Sequence, residues 1–280
     1  MAAEPPLSRL VLGASSVAED VGYVALADLA RALGPDVGTE YRVIGGHMVT
    51  ALVARWRLGP DMYRETGDTD LGIPPLVVRD QHVVGRLTDL GYERVAGNRF
   101  ARTLYDVPIR VIGGPDEPPQ AVIDVLIPAY TSRARHNRRV GDDLVTTEVL
   151  GLHTALTRSP VVLPLELQRL NGDRLDVEIA FPDEVAALTL KGYATRVRTK
   201  ATDVVDVWRC LEAANAAGVG PDAFTKGDPA RAAGYVRTLF GKRHGAGMAA
   251  LQAEQGLSAR AADARFTRLR ALLARVLGEA

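Results

Sequence analysis

The chain has little cysteine, little lysine and no long apolar stretch. Cys210 is the only cysteine among 280 residues, which excludes an internal disulfide and is typical of a reducing compartment. No apolar run is long enough to span a bilayer, and the N-terminal segment lacks the basic start and apolar run of a signal peptide. We therefore expect a cytoplasmic protein with no membrane partner.

The charge balance excludes a global attraction to nucleic acid. The formal net charge is zero, so any contact with phosphate backbones or anionic lipid would need a local patch. Hydrophobic residues make up 47% and charged residues 24%, as in ordinary globular proteins. Arginine supplies most of the positive charge, because the lysines are only Lys191, Lys200, Lys226 and Lys242.

Helix and strand patterns alternate in the first part of the chain, and helical patterns dominate after Pro182. The polar stretch from Ser132 to Asp143 is predicted to be an exposed loop near a domain boundary. We predict an α/β mixed sheet with flanking helices over residues 1–140, followed by a mostly helical C-terminal domain over residues 141–280. Leu175 to Phe181 alternates like a strand that returns to the sheet.

Two carboxylates stand one residue apart in the stretch RETGDTDLGIP. If Asp68 to Ile73 is a strand, Asp68 and Asp70 share one face and repel each other unless a cation lies between them. Asp124 is the one charged residue in the apolar run AVIDVLIPA, where an unpaired carboxylate would be costly. Oxygen ligands of this kind suit Mg²⁺ beside phosphates, and we predict a metal site formed by these three aspartates.

Gly45 and Gly46 lie between a strand pattern and a helix pattern. Glycine lets backbone N–H groups approach an anion, and the start of a helix adds partial positive charge. We therefore predict that this turn binds phosphate.

Each of these signals has a plain structural alternative when it is taken alone. An Asp-x-Asp pair also occurs at solvated strand ends and in metal-dependent glycosyltransferases. Asp124 alone could be a hydrogen-bonded core residue. The order strand, Gly-Gly, helix, Asp-x-Asp and isolated Asp favours the metal site.

This combination resembles the nucleotidyltransferase superfamily that includes DNA polymerase β and, within it, the AbiEii/AbiGii-type toxin family. The first family motif is matched by IGGHMVTAL and RETGDTDLGI, in which Arg64 and Thr66 precede the aspartates. The third family acid matches Asp124. Two departures are His47, which stands where the family has a small hydroxyl residue, and a longer gap between the two halves of the motif. The resemblance covers the chain from about Val17 to Leu211.

A further match lies in the stretch LTLKGYATRVRTKATDVVDVWRCL. The family places a lysine, an arginine and an Asp-x-x-Asp pair in this order, here Lys191, Arg198, Asp203 and Asp206. By resemblance, Lys191 contacts the triphosphate or assists the leaving group, and the two aspartates orient Lys191 or Arg198. The alternative is that Arg198, Lys200, Asp203 and Asp206 form exposed helix ion pairs of little energetic weight.

The resemblance implies a nucleotidyltransferase-like catalytic core over residues 1–140, with an active site that the helical domain over residues 141–280 completes. It also implies a transferase that uses a nucleoside triphosphate and two Mg²⁺ ions. Asp68, Asp70 and Asp124 are the implied metal ligands and catalytic residues, together with Lys191, and Asp124 is also the implied general base. The implied nucleotide-binding residues are Gly45, Gly46, His47, Arg64, Thr66, Arg198 and Asp203.

The acceptor is left open between several classes. Toxins of this type are thought to modify RNA, in some cases the tRNA acceptor end, which implies an RNA acceptor and a cognate antitoxin protein. An antibiotic-type small-molecule acceptor, or a fold relative that lacks catalysis and binds a partner, are the other hypotheses. Residues 131–140 could bind several phosphates or could be a solvated loop offset by Asp142 and Asp143. Their arginines are Arg133, Arg135, Arg138 and Arg139.

Overall fold

The structure, a computed structural model, describes residues 9–59, 62–108, 118–141, 144–197 and 200–278, apart from the side chains of 35, 36 and 197. The chain divides into a sheet unit, Pro6–Met48 with Arg64–Pro182, and a helical unit, Val49–Tyr63 with Asp183–Ala280. This division differs from the predicted boundary at residue 140. The strands between residues 144 and 181 belong to the sheet unit, and residues 49–63 belong to the helical unit.

The described strands all belong to the sheet unit, in which they form two larger sheets and a hairpin. They are β1 (Leu10–Gly13), β2 (Arg42–Ile44), β3 (Asp68–Gly72), β4 (Glu93–Arg94), β5 (Arg99–Thr103), β6 (Gln120–Pro128), β7 (Arg138–Val140), β8 (Leu144–Thr146), β9 (Glu148–Val149), β10 (Val161–Gln168) and β11 (Arg174–Phe181).

Helices flank these sheets in the first part of the chain and make up the second. They are α1 (Val17–Val37), α2 (Gly45–Arg55), α3 (Pro75–Asp80), α4 (Val83–Asp89), α5 (Leu152–Thr157), α6 (Glu184–Val197), α7 (Ala201–Ala216), α8 (Gly227–Phe240), α9 (Ala246–Gln255) and α10 (Ala259–Leu272). The predicted fold class, a mixed α/β sheet followed by C-terminal helices, is confirmed.

The main sheet has the strand order β2-β3-β6-β5-β4, with β9 added alongside β6. The strands β3 and β6 run parallel, whereas β2 and β5 run antiparallel to their neighbours. Along β6, the side chains of Ala121, Ile123, Val125 and Ile127 are buried on one face, and Asp124 lies on the other. This alternation has the period of two that a strand imposes.

Helix α1 covers the apolar face of the main sheet. It packs against β3 and β6, and the Thr69 hydroxyl on β3 is 3.5 Å from the Gly22 carbonyl of α1. Because successive side chains alternate, Asp68 and Asp70 lie on the face opposite α1. The apolar residues that hold β3 and β6 on α1 thus turn the three aspartates away from the helix.

A second sheet is built from β1, β10 and β11. Strand β1 pairs parallel with β10, and β10 pairs antiparallel with β11. Leu163, Leu165 and Leu167 form its buried stripe, and α1 packs against β11. The predicted strand over Leu175 to Phe181 is confirmed, and it pairs in this sheet with β10 rather than in the main sheet.

The stretch predicted as an exposed loop, Ser132 to Asp143, contains a strand. Residues Arg138–Val140 form β7, which pairs antiparallel with β8, and Asp142 and Asp143 lie outside the described residues. The arginines at 133, 135, 138 and 139 are exposed, as predicted.

The helical unit packs around α7, which is buried along most of its length. Helix α6 packs against α7 and α8, and α9 packs against α7. The largest buried apolar side chains in this unit are Trp208 and Phe240. A 3₁₀ turn, Pro221–Phe224, and a π-helical turn, Leu273–Leu277, complete the unit.

Candidate functional site

Asp68, Asp70 and Asp124 lie on one face of two neighbouring strands. Asp70 on β3 is paired in register with Asp124 on β6, and Asp68 is two residues before Asp70 on the same strand. The side chain of Asp68 is 57% exposed and that of Asp124 is 15% exposed, so the acid row runs from solvent into the protein. The predicted grouping of these three carboxylates on adjacent strands is what the sheet register produces.

Arg99 on β5 lies between two of these acids. It is paired in register with Asp124, and its Nη2 is 2.8 Å from Oδ2 of Asp124 and 2.8 Å from Oδ2 of Asp68. Its Nε donates to Asp124 at 3.2 and 3.3 Å, and the Asn98 amide donates to Oδ1 of Asp124 at 3.3 Å. The hydrogen bond to Asp124 is the main cause of a raised Arg99 pKa. Both oxygens of the Asp124 carboxylate thus accept hydrogen bonds from protein donors.

Arg99 and Asn98 are site residues that the sequence patterns did not predict. In the described part of the chain, no three His, Cys, Asp or Glu side chains are gathered closely enough to hold a metal ion. Arg99 supplies the positive charge that the repelling carboxylates require, because its guanidinium bridges Asp68 and Asp124. Its position depends on how β5 pairs with β6, and the only signal in the sequence was an arginine within the extended run that follows Tyr92.

The Gly-Gly turn lies beside the acid row. Ile44, the last residue of β2, pairs with Asp70, and α2 begins at the next residue, Gly45. Gly45 has φ +70°, and a Cβ built on it would lie 1.9 Å from Oδ2 of Asp70. A Cβ on Gly46 would lie 2.2 Å from the Thr66 hydroxyl oxygen. Both positions therefore require glycine, and they bring backbone close to two predicted site residues.

Arg64 and Thr66 line the same turn. The Arg64 Nη2 would be 3.3 Å from a Cβ on Gly46, and its Nη1 donates to the Glu65 carbonyl at 3.2 Å. The two residues thus lie against Gly46, and their contact with a nucleotide stays a prediction.

His47, the third residue of the motif, is buried. It is 3% exposed, its ring packs on Gly22 of α1, and its Nε2 has no hydrogen-bond partner among the described residues. Burial, assisted by the charge of Arg64, lowers the pKa of His47 to about 3, so the imidazole is neutral. The contact of His47 with phosphate stays a prediction.

Lys191 and Asp203 belong to the helical unit, where they form a buried ion cluster. The Lys191 Nζ is 2.7 Å from Asp206 and 3.9 Å from Asp203. Burial acts to lower the Lys191 pKa, but the charge and hydrogen bond of Asp206 outweigh it, so the pKa is raised. Arg209 donates to Asp206 at 3.0 Å and to the Thr50 hydroxyl at 3.2 Å.

The exposed-ion-pair alternative is wrong for Asp203 and Asp206, since both are buried. The predicted orientation of Lys191 by these aspartates agrees with the distances, whereas Arg198 lies outside the described residues. The role of Lys191 toward a triphosphate stays a prediction. Cys210 beside this cluster is buried, which raises its thiol pKa to about 12 and keeps it protonated.

No family model matches the chain, and no curated protein matches it. Among solved structures, the chain is similar to the crystal structure of an antigenic nucleotidyltransferase-like protein from Paracoccidioides brasiliensis. The identity is 18%, the TM-score is 0.45, and the match covers 79% of this chain and 88% of that chain. A similarity this low does not identify an activity. None of the described helices combines the length and apolar character that crossing a membrane requires.

Proposed function

We propose that the chain is a metal-dependent nucleotidyltransferase that moves a nucleoside monophosphate from a triphosphate to an acceptor hydroxyl. One observation carries the proposal: Asp70 and Asp124 are paired in register on β3 and β6, directly beside the glycine turn that begins α2. Carboxylates next to a backbone anion cradle are what metal–triphosphate chemistry requires. The sequence motifs that resemble nucleotidyltransferases contain these same residues.

The residue types fit a divalent cation, which would have to draw the three carboxylates closer together than they lie among the described residues. Asp68, Asp70 and Asp124 offer only oxygen ligands, the kind that Mg²⁺ prefers, and they share one face of β3 and β6. When bound there, Mg²⁺ would neutralise the triphosphate and the charge that develops on the attacking and leaving oxygens.

The chain's own groups would do the remaining work. The backbone N–H groups at Gly45 and Gly46, with Arg64 and Thr66 beside them, would hold the phosphates. Asp124 would accept the proton of the acceptor hydroxyl as its oxygen bonds to the α-phosphorus and the bond to pyrophosphate breaks. The proton thus ends on Asp124, and the leaving group is pyrophosphate.

The finer proposal is an RNA acceptor, in a toxin that a cognate antitoxin neutralises. Its support is the sequence resemblance to AbiEii-type toxins, together with the exposed arginines of the β7–β8 hairpin and the segment before it. Four exposed arginines within residues 131–140 could neutralise several phosphates of a nucleic acid.

A second candidate is a fold relative that binds a partner without catalysis. Two observations favour it: Arg99 occupies the space between Asp68 and Asp124, and His47 is buried where a phosphate-binding hydroxyl is typical. The position of the carboxylates beside the glycine turn favours the enzyme, because a metal-bound triphosphate would need both oxygen ligands and backbone N–H groups at one place.

The test is transfer of label from each α-labelled ribonucleoside triphosphate to total cellular RNA in the presence of Mg²⁺. We expect labelled RNA with the wild type and a loss of about 100-fold or more with Asp70→Asn, which keeps the side-chain shape. Asp89→Asn, at an exposed aspartate on α4, is the matched control and should retain the wild-type rate. Labelling that Asp70→Asn leaves unchanged would refute the proposed site. An absence of label with every nucleotide would favour a small-molecule acceptor or the non-catalytic candidate.

A further inference from the structure

The guanidinium of Arg99 lies where the acid row most needs positive charge. Asp124 is largely buried, and both of its oxygens accept hydrogen bonds from Arg99 or Asn98. A single nitrogen of Arg99, Nη2, bridges Asp124 and Asp68 with equal distances of 2.8 Å. This is the arrangement expected of one cation shared by two carboxylates.

We propose that Arg99 is a placeholder cation, which occupies the position between Asp68 and Asp124 until a divalent metal ion displaces it. This inference rests on the proposed function, because it takes the three aspartates to be metal ligands. It adds a residue to that site and makes the affinity for metal the outcome of a competition. The metal and the guanidinium cannot both use the bridging oxygens of the two carboxylates.

The side chains of Asp124 and Arg99 differ in their freedom to move. Asp124 is fixed in the middle of β6 between two paired strands, so its carboxylate has little freedom to move. Arg99 is the first residue of β5, and its side chain is 42% exposed. A long side chain at the end of a strand can leave toward solvent at small structural cost. The Arg99 side chain, and not Asp124, is therefore the group of this pair that moves.

The competition has a physical consequence for metal binding. A metal ion that enters must first break the hydrogen bonds from Arg99 to Asp124 and Asp68. The charge-assisted bonds that are lost weaken the net affinity for metal. Removal of Arg99 should therefore tighten metal binding, which is the opposite of what loss of a supporting residue does. A merely structural role for Arg99 would not produce this gain.

The test is a titration of Mn²⁺, followed by the electron paramagnetic resonance of the free ion, on the full chain. Arg99→Met keeps the length of the stem and removes the charge, and Arg99→Lys keeps the charge without the planar fork. Arg94→Met is the control for general electrostatics, because it removes an exposed arginine from the neighbouring strand β4. Arg94 pairs in register with Phe100, the residue that follows Arg99. Asp124→Asn, alone and combined with Arg99→Met, reports whether the metal is at this site.

We expect Arg99→Met to bind Mn²⁺ about tenfold or more tightly than the wild type, with Arg99→Lys between them and Arg94→Met equal to the wild type. The combined Arg99→Met/Asp124→Asn variant should lose the gain. If Arg99→Met does not fold, the inference still requires that Arg99→Lys binds Mn²⁺ more tightly than the wild type.

Two results would overturn the inference in different ways. If Arg99→Met binds Mn²⁺ no more tightly than the wild type while Asp124→Asn abolishes binding, Arg99 is not a competitor and the metal-dependent function stands. If neither the wild type nor Arg99→Met binds Mn²⁺, the inference and the proposed function both fall.

Discussion

The carboxylate of Asp70 lies directly against Gly45, so closely that a methyl group on Gly45 would be 1.9 Å from its Oδ2. The positive φ of Gly45 adds a second reason why another residue cannot replace it. The start of α2 and the acid row therefore depend on each other for their positions.

Gly45→Ala is expected to destabilise the sheet unit by about 2 kcal/mol or more, because it combines left-handed backbone strain with a steric clash. Displacement of Asp70 should also weaken Mn²⁺ binding. The control is Gly85→Ala on α4, where a Cβ would meet no described atom within 4 Å. That change should stabilise by up to about 1 kcal/mol through helix propensity. Denaturant unfolding followed by circular dichroism measures the stability of both variants. Equal effects of Gly45→Ala and Gly85→Ala would contradict the close contact between Gly45 and Asp70.

The buried imidazole of His47 makes stability depend on pH in a defined direction. Its pKa is about 3 in the folded chain, below the ordinary value of 6.5. As the pH falls below about 6.5, the unfolded chain binds a proton that the folded chain does not, and the free energy of unfolding decreases by about 1.4 kcal/mol per pH unit until the pH reaches about 3.

His47→Asn removes this proton uptake. Between pH 7 and pH 5, the free energy of unfolding should fall by about 2 kcal/mol less in the variant than in the wild type, as measured by denaturant unfolding at each pH. Between pH 7 and pH 8 the free energies of unfolding of the variant and the wild type should change in parallel, which provides an internal control. Parallel curves down to pH 5 would mean that the imidazole is not held neutral.

Lys191 is expected to be essential for the stability of the helical unit. Lys191→Met removes the cation that lies 2.7 Å from the buried Asp206 and 3.9 Å from the buried Asp203, and it should cost about 3–5 kcal/mol. Adding Asp203→Asn restores the charge balance and should recover part of the loss. Both tryptophans, Trp56 and Trp208, belong to the helical unit, so their fluorescence in urea reports this unit alone.

Lys200→Met is the control, because Lys200 is exposed at the start of α7, and its effect should stay within about 0.5 kcal/mol. A Lys191→Met variant that is as stable as the wild type but inactive in label transfer would assign Lys191 to catalysis rather than to structure.

The β7–β8 hairpin and the segment before it make the RNA proposal testable by salt dependence. Arg139→Gln should weaken RNA binding and reduce the slope of log affinity against log salt by about 1, as expected for one lost phosphate contact. Arg138→Gln should have a smaller effect, because Arg138 lies 3.6 Å from Glu148. Fluorescence anisotropy with labelled RNA measures both, and Arg260→Gln on α10 is the exposed control. An unchanged slope for Arg139→Gln would exclude this surface as the RNA contact.

The acid row could be predicted because it depends on local patterns. Alternation along β3 and β6 is visible in the sequence and determines which face each aspartate takes. Gly45 and Gly46 are likewise a local signal between two elements. The three aspartates and the two glycines are therefore the part of the candidate site that the sequence could predict.

The partner of the acid row could not be predicted, because it depends on pairing between distant residues. Arg99 reaches Asp124 only through the register of β5 on β6, and residues on separate strands give no local sign of that register. The same reason hid the sheet of β1 and β10, whose paired residues Leu10 and Leu165 are far apart in the chain. Pro164 within β10 also weakens the strand pattern.

The most direct measurement is anomalous diffraction from crystals grown with Mn²⁺ and a non-hydrolysable nucleoside triphosphate. We expect a Mn²⁺ peak bound by carboxylates of the three aspartates, Asp68, Asp70 and Asp124, with the triphosphate against Gly45 and Gly46 and the Arg99 side chain moved away from Asp124. A triphosphate bound elsewhere, or Arg99 still bridging Asp68 and Asp124 with no metal ion at the three aspartates, would contradict the proposed site.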